Sequence, residues 1–157
     1  HGFAYSANCG WVNLGTGRLF VQAITHVDSD HDGIDDAWEM QWFGNLTAAG
    51  PGTDHDGDGQ SDASEYIADT DPLRADDYLK IVSHTYANGQ TTVSLTFTSQ
   101  PSRRYRLQHS ADLVNWPDSG LGEFNPDAGT TTTKGFSYTG SARHFFRAVA
   151  VLPLPQP

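Results

Sequence analysis

Two acidic segments of twelve residues share one spacing of carboxylates, and that spacing is suited to binding a metal ion. The first segment, residues 28–39, reads DSDHDGIDDAWE, and the second, residues 54–65, reads DHDGDGQSDASE. Each has Asp at positions 1, 3, 5 and 9, Gly at position 6 and Glu at position 12. Calcium takes roughly six to eight hard oxygen ligands, and this is the ligand order of an EF-hand-type calcium loop.

The pattern assigns a ligand role to each side chain. Asp at positions 1, 3 and 5 supplies short carboxylates, and Gly at position 6 allows the backbone to reverse. Position 7 offers its backbone carbonyl, position 9 acts through a water, and the Glu at position 12 reaches back from a following helix. The predicted ligands are Asp28, Asp30, Asp32, Ile34, Asp36 and Glu39 in the first loop and Asp54, Asp56, Asp58, Gln60, Asp62 and Glu65 in the second. His31 and His55 are interpreted as solvated spacers, because imidazole suits transition metals better than calcium.

The acidity of the chain is concentrated around these loops. Of the 19 acidic residues, 15 lie in residues 28–77 with Arg74 as the only base, so this segment has a formal charge of −14 while the whole chain has −10. Trp38, Trp42 and other apolar residues are interleaved at helical spacing, which argues against a disordered acidic tail. Bound cations are therefore expected to neutralise the segment. The charge argues against nucleic acid as a partner, and no apolar run is long enough to span a membrane.

Short elements are predicted to position the loops. Each loop is followed by a short helical pattern, at residues 35–43 and 62–68. The stretch before the first loop, residues 20–27, alternates like a strand, and the stretch before the second, residues 47–53, is turn material. The loops are therefore not preceded by the helices of a helix–loop–helix EF-hand.

The two loops belong to a longer motif. Together with the phrase ADTDP at residues 68–72 and with Asp76 and Asp77 they resemble bacterial thrombospondin type 3 repeats and, more distantly, dockerin modules. In the thrombospondin family successive loops share calcium ions. The resemblance therefore implies Asp69, Asp71 and Asp76 as closing ligands, and Ca²⁺ as the cofactor, with two ions in the loops and a third shared ion.

The rest of the chain has the period-two pattern of strands. Strands are predicted at residues 78–87, 91–99, 104–110, 130–138 and 144–152, with a hairpin turn at Asn88-Gly89. Short strands at this spacing predict an antiparallel sandwich of immunoglobulin-like architecture over residues 78–152. The phrases YRLQHSADLVNW and FFRAVAV resemble a β-sandwich module found at the C-terminal ends of large secreted bacterial proteins. The expected fold is mainly β, with residues 28–77 as a calcium-binding connector and residues 153–157 as a Pro-rich tail.

Residues 1–27 are predicted to form a small β unit, with a hairpin around Gly15-Thr16-Gly17. Residues 2–15 resemble the GYAYGANIGWINLG-type leaders that precede such loops in secreted bacterial proteins. A two-stranded unit this small cannot bury its own apolar side chains, because an isolated hairpin is marginal in water. This unit is expected either to pack on its own chain or to insert into a neighbouring copy.

Other candidate sites lack the pattern of an enzyme. The sequence has no nucleophile elbow, phosphate loop or dinucleotide fingerprint, and the loop carboxylates are committed to metal. His1 with a second histidine resembles the copper brace of polysaccharide monooxygenases, but the rest of the chain resembles no such enzyme. We therefore predict no catalytic site. Asn45 begins a formal glycosylation sequon, and Thr131 and Thr132 are candidates for O-linked glycans.

These features predict a secreted structural protein of the bacterial cell surface with a role in adhesion. The first hypothesis is the repeating subunit of an extracellular fibre or pilus-like filament, a homopolymer in which the N-terminal strand of one copy adds to a sheet of the next. The alternative is a calcium-dependent anchoring or carbohydrate-binding module of a larger secreted enzyme. In that case Trp11, Trp116 and Tyr138 would contact surface glycans.

Overall fold

The computed structural model describes residues 3–6, 10–13, 27–87, 91–139 and 143–152, with the backbone alone at 3–6 and 10–13. The described chain is mainly β, with two short helices and antiparallel sheets. Its elements are β1 (Phe3–Ser6), β2 (Gly10–Asn13), α1 (Asp36–Trp42), α2 (Asp62–Ala68), β3 (Ile81–Ala87), β4 (Thr92–Thr98), β5 (Arg104–Ser110), β6 (Thr131–Ser137) and β7 (Phe145–Val151). None of the helices in the described part has the length and apolar character needed to cross a membrane.

The last five strands form two antiparallel sheets. One sheet has the order β3-β4-β6, and the other pairs β5 with β7. The alternation that predicts β4 places Val93, Leu95 and Phe97 in the interior and the intervening Ser and Thr residues on the outer face. In the larger sheet β4 and β6 pair antiparallel, with Thr92 opposite Ser137 at one end.

One hydrophobic core joins the two sheets. It contains Val93, Leu95, Phe97, Tyr105, Leu107, Phe136 and Ala150, together with Ala68 of α2. The ring centroids of Phe97 and Tyr105, from opposite sheets, lie 5.2 Å apart. Burial of each large side chain contributes about 1.5–3 kcal/mol, so this shared core holds the sheets face to face. We call strands β3 to β7 the two-sheet unit.

A second, smaller cluster holds the acidic segment together. It is formed by Ile34, Ala49 and Tyr66, against which Trp38, Phe43, Ala63 and Leu152 pack. The rings of Trp38 in α1 and Tyr66 in α2 meet edge to face at 5.6 Å. Leu152 directly follows β7, and Ala68 at the end of α2 belongs to the main core. The acidic segment therefore packs directly on the two-sheet unit.

Part of the predicted N-terminal β unit is described. β1 and β2 pair antiparallel with Phe3 opposite Asn13. The predicted turn, most of the predicted strand at residues 20–27 and the Pro-rich tail at 153–157 lie outside the described residues.

Candidate metal-binding loops

The three aspartates at positions 1, 3 and 5 come together in each acidic loop. Asp28, Asp30 and Asp32 each offer one carboxylate oxygen, and these three oxygens lie within 4.8 Å of one another. Asp54, Asp56 and Asp58 form the equivalent group in the second loop. Each group could hold a metal ion.

Both loops are folded by the same hydrogen bonds, which begin at the first aspartate. The carboxylate of Asp28 accepts from the N–H of Gly33 at 3.0 Å, and that of Asp54 accepts from the N–H of Gly59 at 3.0 Å. These glycines at position 6 have φ angles of 94° and 92°, a region that favours glycine. Because the two segments have the same residue types at these loop positions, their backbones fold alike around position 6.

The aspartate at position 9 closes each loop. The N–H of Asp36 donates to the carbonyl of Val27 at 2.7 Å, and the N–H of Asp62 donates to that of Thr53 at 2.9 Å. Each of these side chains also accepts from the N–H of position 2, at 2.8 Å and 3.2 Å. The predicted water-mediated ligands at position 9 therefore already fasten the start of each loop to its end.

The glutamates at position 12 are the most unusual groups of the site. Each lies in the first turn of a helix whose start is capped by a side chain, Asp35 for α1 and Ser61 for α2. Glu39 is 0% exposed and Glu65 is 1% exposed. All four of their carboxylate oxygens are buried without a hydrogen-bond partner in the described part of the chain. A buried charge in that condition is costly unless a cation is bound beside it.

The pKa values of the two glutamates reflect this environment. Burial, followed by the charge of Asp32 and the other aspartates of the same loop, raises the pKa of Glu39 to about 7. Burial, followed by the charges of Asp56 and Asp58, raises the pKa of Glu65 to about 8. The loops therefore concentrate negative charge around a buried carboxylate, and a divalent cation would reverse the sign of that interaction.

Some aspartate oxygens of the loops are in the same condition as the glutamate oxygens. The Oδ2 atoms of Asp32, Asp56 and Asp58 are also buried without a partner among the described residues. The other oxygen at position 5 accepts from the position-7 N–H, that of Ile34 at 2.8 Å and that of Gln60 at 2.6 Å. The buried oxygens without partners thus belong to positions 5 and 12 of the first loop and to positions 3, 5 and 12 of the second, and carboxylate oxygens are the hard ligands that calcium prefers.

The three carboxylates that the family resemblance implies as ligands of a third ion have other partners. Asp69 accepts from the hydroxyl of Ser102, and its carboxylate lies 3.6 Å from the guanidinium of Arg103. Asp76 pairs with the side chain of Arg74 at 3.0 Å. Asp71 accepts from the N–H of Leu73 at 3.0 Å. Neither group of clustered aspartates includes Asp69, Asp71 or Asp76.

His55 is exposed, in keeping with its interpretation as a solvated spacer, but it also has partners within the chain. Its Nδ1 lies 2.7 Å from a carboxylate oxygen of Asp62, which is fully buried and also accepts from the hydroxyl of Thr53. Its ring lies 4.4 Å from that of Phe43, which follows α1. His55 therefore links the second loop to the helix of the first. His31, at position 4 of its loop, is exposed and has a φ angle of 65°.

Arg103 is a second residue that the loop pattern does not reveal. Its Nε donates to the carbonyl of Ile67 at 2.8 Å, and its Nη2 donates to the carbonyl of Tyr66 at 3.0 Å. These carbonyls belong to the last turn of α2, where a cation is favourable. Arg103 lies directly before β5, so it attaches the helix that carries Glu65 to the two-sheet unit.

The predicted glycosylation sites have different surroundings. Asn45 is exposed, and its Oδ1 accepts from the N–H of Thr47 at 2.9 Å. Thr131 is exposed, whereas Thr132 is 0% exposed and its hydroxyl is 2.8 Å from that of Ser99. The folded chain therefore has no room for a glycan on Thr132.

Two of the aromatic residues in the glycan-binding alternative are engaged within the protein. Trp116 lies under the guanidinium of Arg147, 4.3 Å from the ring centre, and its indole N–H donates to the carbonyl of Leu113 at 3.1 Å. Tyr138 lies against the ring of His144, with ring centroids 4.4 Å apart. Trp11 is in β2, where the backbone alone is described.

Comparison with models of known families, with characterised proteins and with solved structures finds no match to this chain. The thrombospondin-like interpretation of residues 28–77 therefore stays a prediction from the sequence.

Proposed function

We propose that this protein is a secreted, non-enzymatic structural protein whose two acidic loops each bind one Ca²⁺ ion. The observation that carries the proposal is the complete burial of Glu39 and Glu65 without a partner, each on the helix that follows an aspartate triad. Calcium would bind one oxygen from each of the aspartates at positions 3 and 5 and both oxygens of the glutamate at position 12. The position-1 aspartate, the position-7 carbonyl and a water held by position 9 complete the set in each loop.

The ions would have a structural role. Glu65 belongs to α2, whose far end packs in the main core through Ala68 and is capped by Arg103. An ion that holds Glu65 against its loop therefore also fixes the loop against the two-sheet unit. Because metal binding of this kind is coupled to folding, calcium is expected to raise the stability of the whole described chain.

The two-sheet unit, which we propose to be an immunoglobulin-like sandwich, leaves strand edges available for self-assembly. β7 pairs with β5 on one side, and on its other side it borders a groove of about 350 Å³. The groove is also lined by Ile67 and Ala68 of α2 and by Leu79. All seven residues of the edge strand β3 are exposed. We propose that a strand of a second copy adds along β7 in this groove, so that the chain forms a fibre.

Calcium binding is tested by titration calorimetry and by native mass spectrometry of the metal-free protein. We expect two ions per chain and a higher melting temperature in calcium than in EDTA. An unchanged melting temperature in excess EDTA would refute the calcium proposal.

Self-assembly is tested separately, by light scattering and electron microscopy in calcium. Ile67→Arg places a charge in the groove at a partly exposed helix position, and Leu73→Arg, at an exposed position outside the groove, is the matched control. We expect filaments from the wild type and L73R and monomers from I67R. A wild-type protein that binds two calcium ions and stays monomeric at high concentration would refute the fibre alone, and glycan binding by that monomer would favour the carbohydrate-binding alternative.

A further inference from the structure

Two partly buried histidines lie side by side in the two-sheet unit, His109 near the end of β5 and His144 just before β7. His109 on β5 is opposite Phe146 of β7, and His144 lies two residues before Phe146. His109 is two residues from the buried Leu107 on β5 and therefore shares its inner face, whereas His144 precedes β7. Their ring centroids are 5.6 Å apart.

The hydrogen bonding of His144 is incomplete. Both of its ring nitrogens are buried, and neither has a hydrogen-bond partner in the described part of the chain. A buried polar group without a partner costs about 1–3 kcal/mol and calls for a bound water or ion as its explanation. The ring contacts of His144 are aromatic: Tyr138 at 4.4 Å, His109 at 5.6 Å and Phe146 at 6.3 Å.

The separation of the two rings fits a shared metal ion. An imidazole bound at about 2.1 Å through one nitrogen has its ring centre roughly 3.2 Å from the ion, so two such rings at a tetrahedral angle have centres about 5.2 Å apart. The observed 5.6 Å is close to that value. Tyr138, the aromatic residue nearest to His144, is a candidate oxygen ligand.

We propose that His109 and His144 form a second type of metal site, which binds a divalent transition metal ion such as Zn²⁺ or Cu²⁺ through the two imidazoles. This site is independent of the calcium loops, since imidazole nitrogen suits these metals and carboxylate oxygen suits calcium.

The test is a Zn²⁺ titration of the full chain in saturating calcium, which keeps the carboxylate loops occupied. We expect one Zn²⁺ per chain and at least tenfold weaker binding by His109→Gln and by His144→Gln. His84→Gln, which changes an exposed histidine on β3, is the matched control and is expected to bind as the wild type does. Equal affinity and stoichiometry in the wild type and both site variants would overturn the proposal.

A second measurement does not depend on the variants folding. In the wild type, the imidazole ¹⁵N signals of His109 and His144 should shift on addition of Zn²⁺ while that of His84 stays in place. Shifts confined to His31, His55 or His84, or no shift at all, would overturn the site.

Discussion

Replacing Glu65 by Gln is expected to change stability in opposite directions with and without calcium. In the metal-free protein the pKa of Glu65 is raised from an ordinary value of 4.5 to about 8. Since one pKa unit corresponds to about 1.4 kcal/mol, ionising this carboxylate in the folded state costs roughly 5 kcal/mol above pH 8. The Gln amide removes the charge but remains a buried polar group, which costs about 1–3 kcal/mol. Metal-free E65Q should therefore be more stable than the metal-free wild type by about 2 kcal/mol or more.

In calcium the sign reverses, because Glu65 is the predicted bidentate ligand. If the substitution weakens binding to the second loop a thousandfold, mass action removes about 4.1 kcal/mol of stabilisation when the ion is in excess, which outweighs the metal-free gain of about 2–4 kcal/mol. The assay is urea unfolding followed by tryptophan fluorescence at about pH 8.5, in excess EDTA and in excess calcium. Glu123→Gln, which changes a carboxylate paired with Arg104 and Arg106, is the control and should respond equally in both conditions. Destabilisation of E65Q by the same amount with and without calcium would refute the reasoning.

Three further predictions concern pH and the contacts around the loops. The folded-state pKa values of Glu39 and Glu65 are raised to about 7 and about 8, so metal-free stability is greatest at low pH with respect to these groups. It should fall by roughly 4 kcal/mol as pH rises from about 6 to 9, which melting curves in EDTA would show and excess calcium would suppress. His55→Ala leaves the buried Asp62 with one partner fewer, so we expect the free energy of unfolding to fall by about 1–3 kcal/mol. Calcium binding should weaken at the second loop only. An equal effect of His31→Ala would contradict this. Arg103→Ala removes the cap of α2 and should cost about 2 kcal/mol and speed amide exchange in that helix, whereas Arg106→Ala, which removes an exposed ion pair, should cost less than about 1 kcal/mol.

The helices and strands that are specified by their own residues could be predicted from local sequence patterns. The bounds of α2 and β5 match their predicted ranges, because Ser61 and Asp69 delimit the helix and turn residues flank the strand. The other helix and strands differ by one to three residues at their ends, where pairing decides the boundary. The alternation of β6 also indicates that Thr132 is buried, because Thr132 lies on the same inner face as Phe136.

Contacts between distant segments could not be predicted in the same way. Arg103 reaches carbonyls that are 36 and 37 residues earlier in the chain, and no local pattern specifies that approach. The spacing of the loops indicates where carboxylates gather, but the burial of Glu39 and Glu65 depends on how both helices pack around Trp38 and Tyr66. The contact between the rings of His55 and Phe43 likewise joins the second loop to the residue that follows α1.

The packing of Leu152 has a consequence for how the chain could be rewired. Leu152 packs on the cluster that contains Ile34. The carbonyl of Val27 accepts a hydrogen bond from the acidic loop that contains Ile34. Residues 27 and 152 therefore both lie beside this cluster. A short flexible linker between residues 152 and 27 would therefore close this core covalently with little rearrangement. A circular permutant opened at the exposed Gly120–Gly122 turn should keep both acidic loops and both sheets intact.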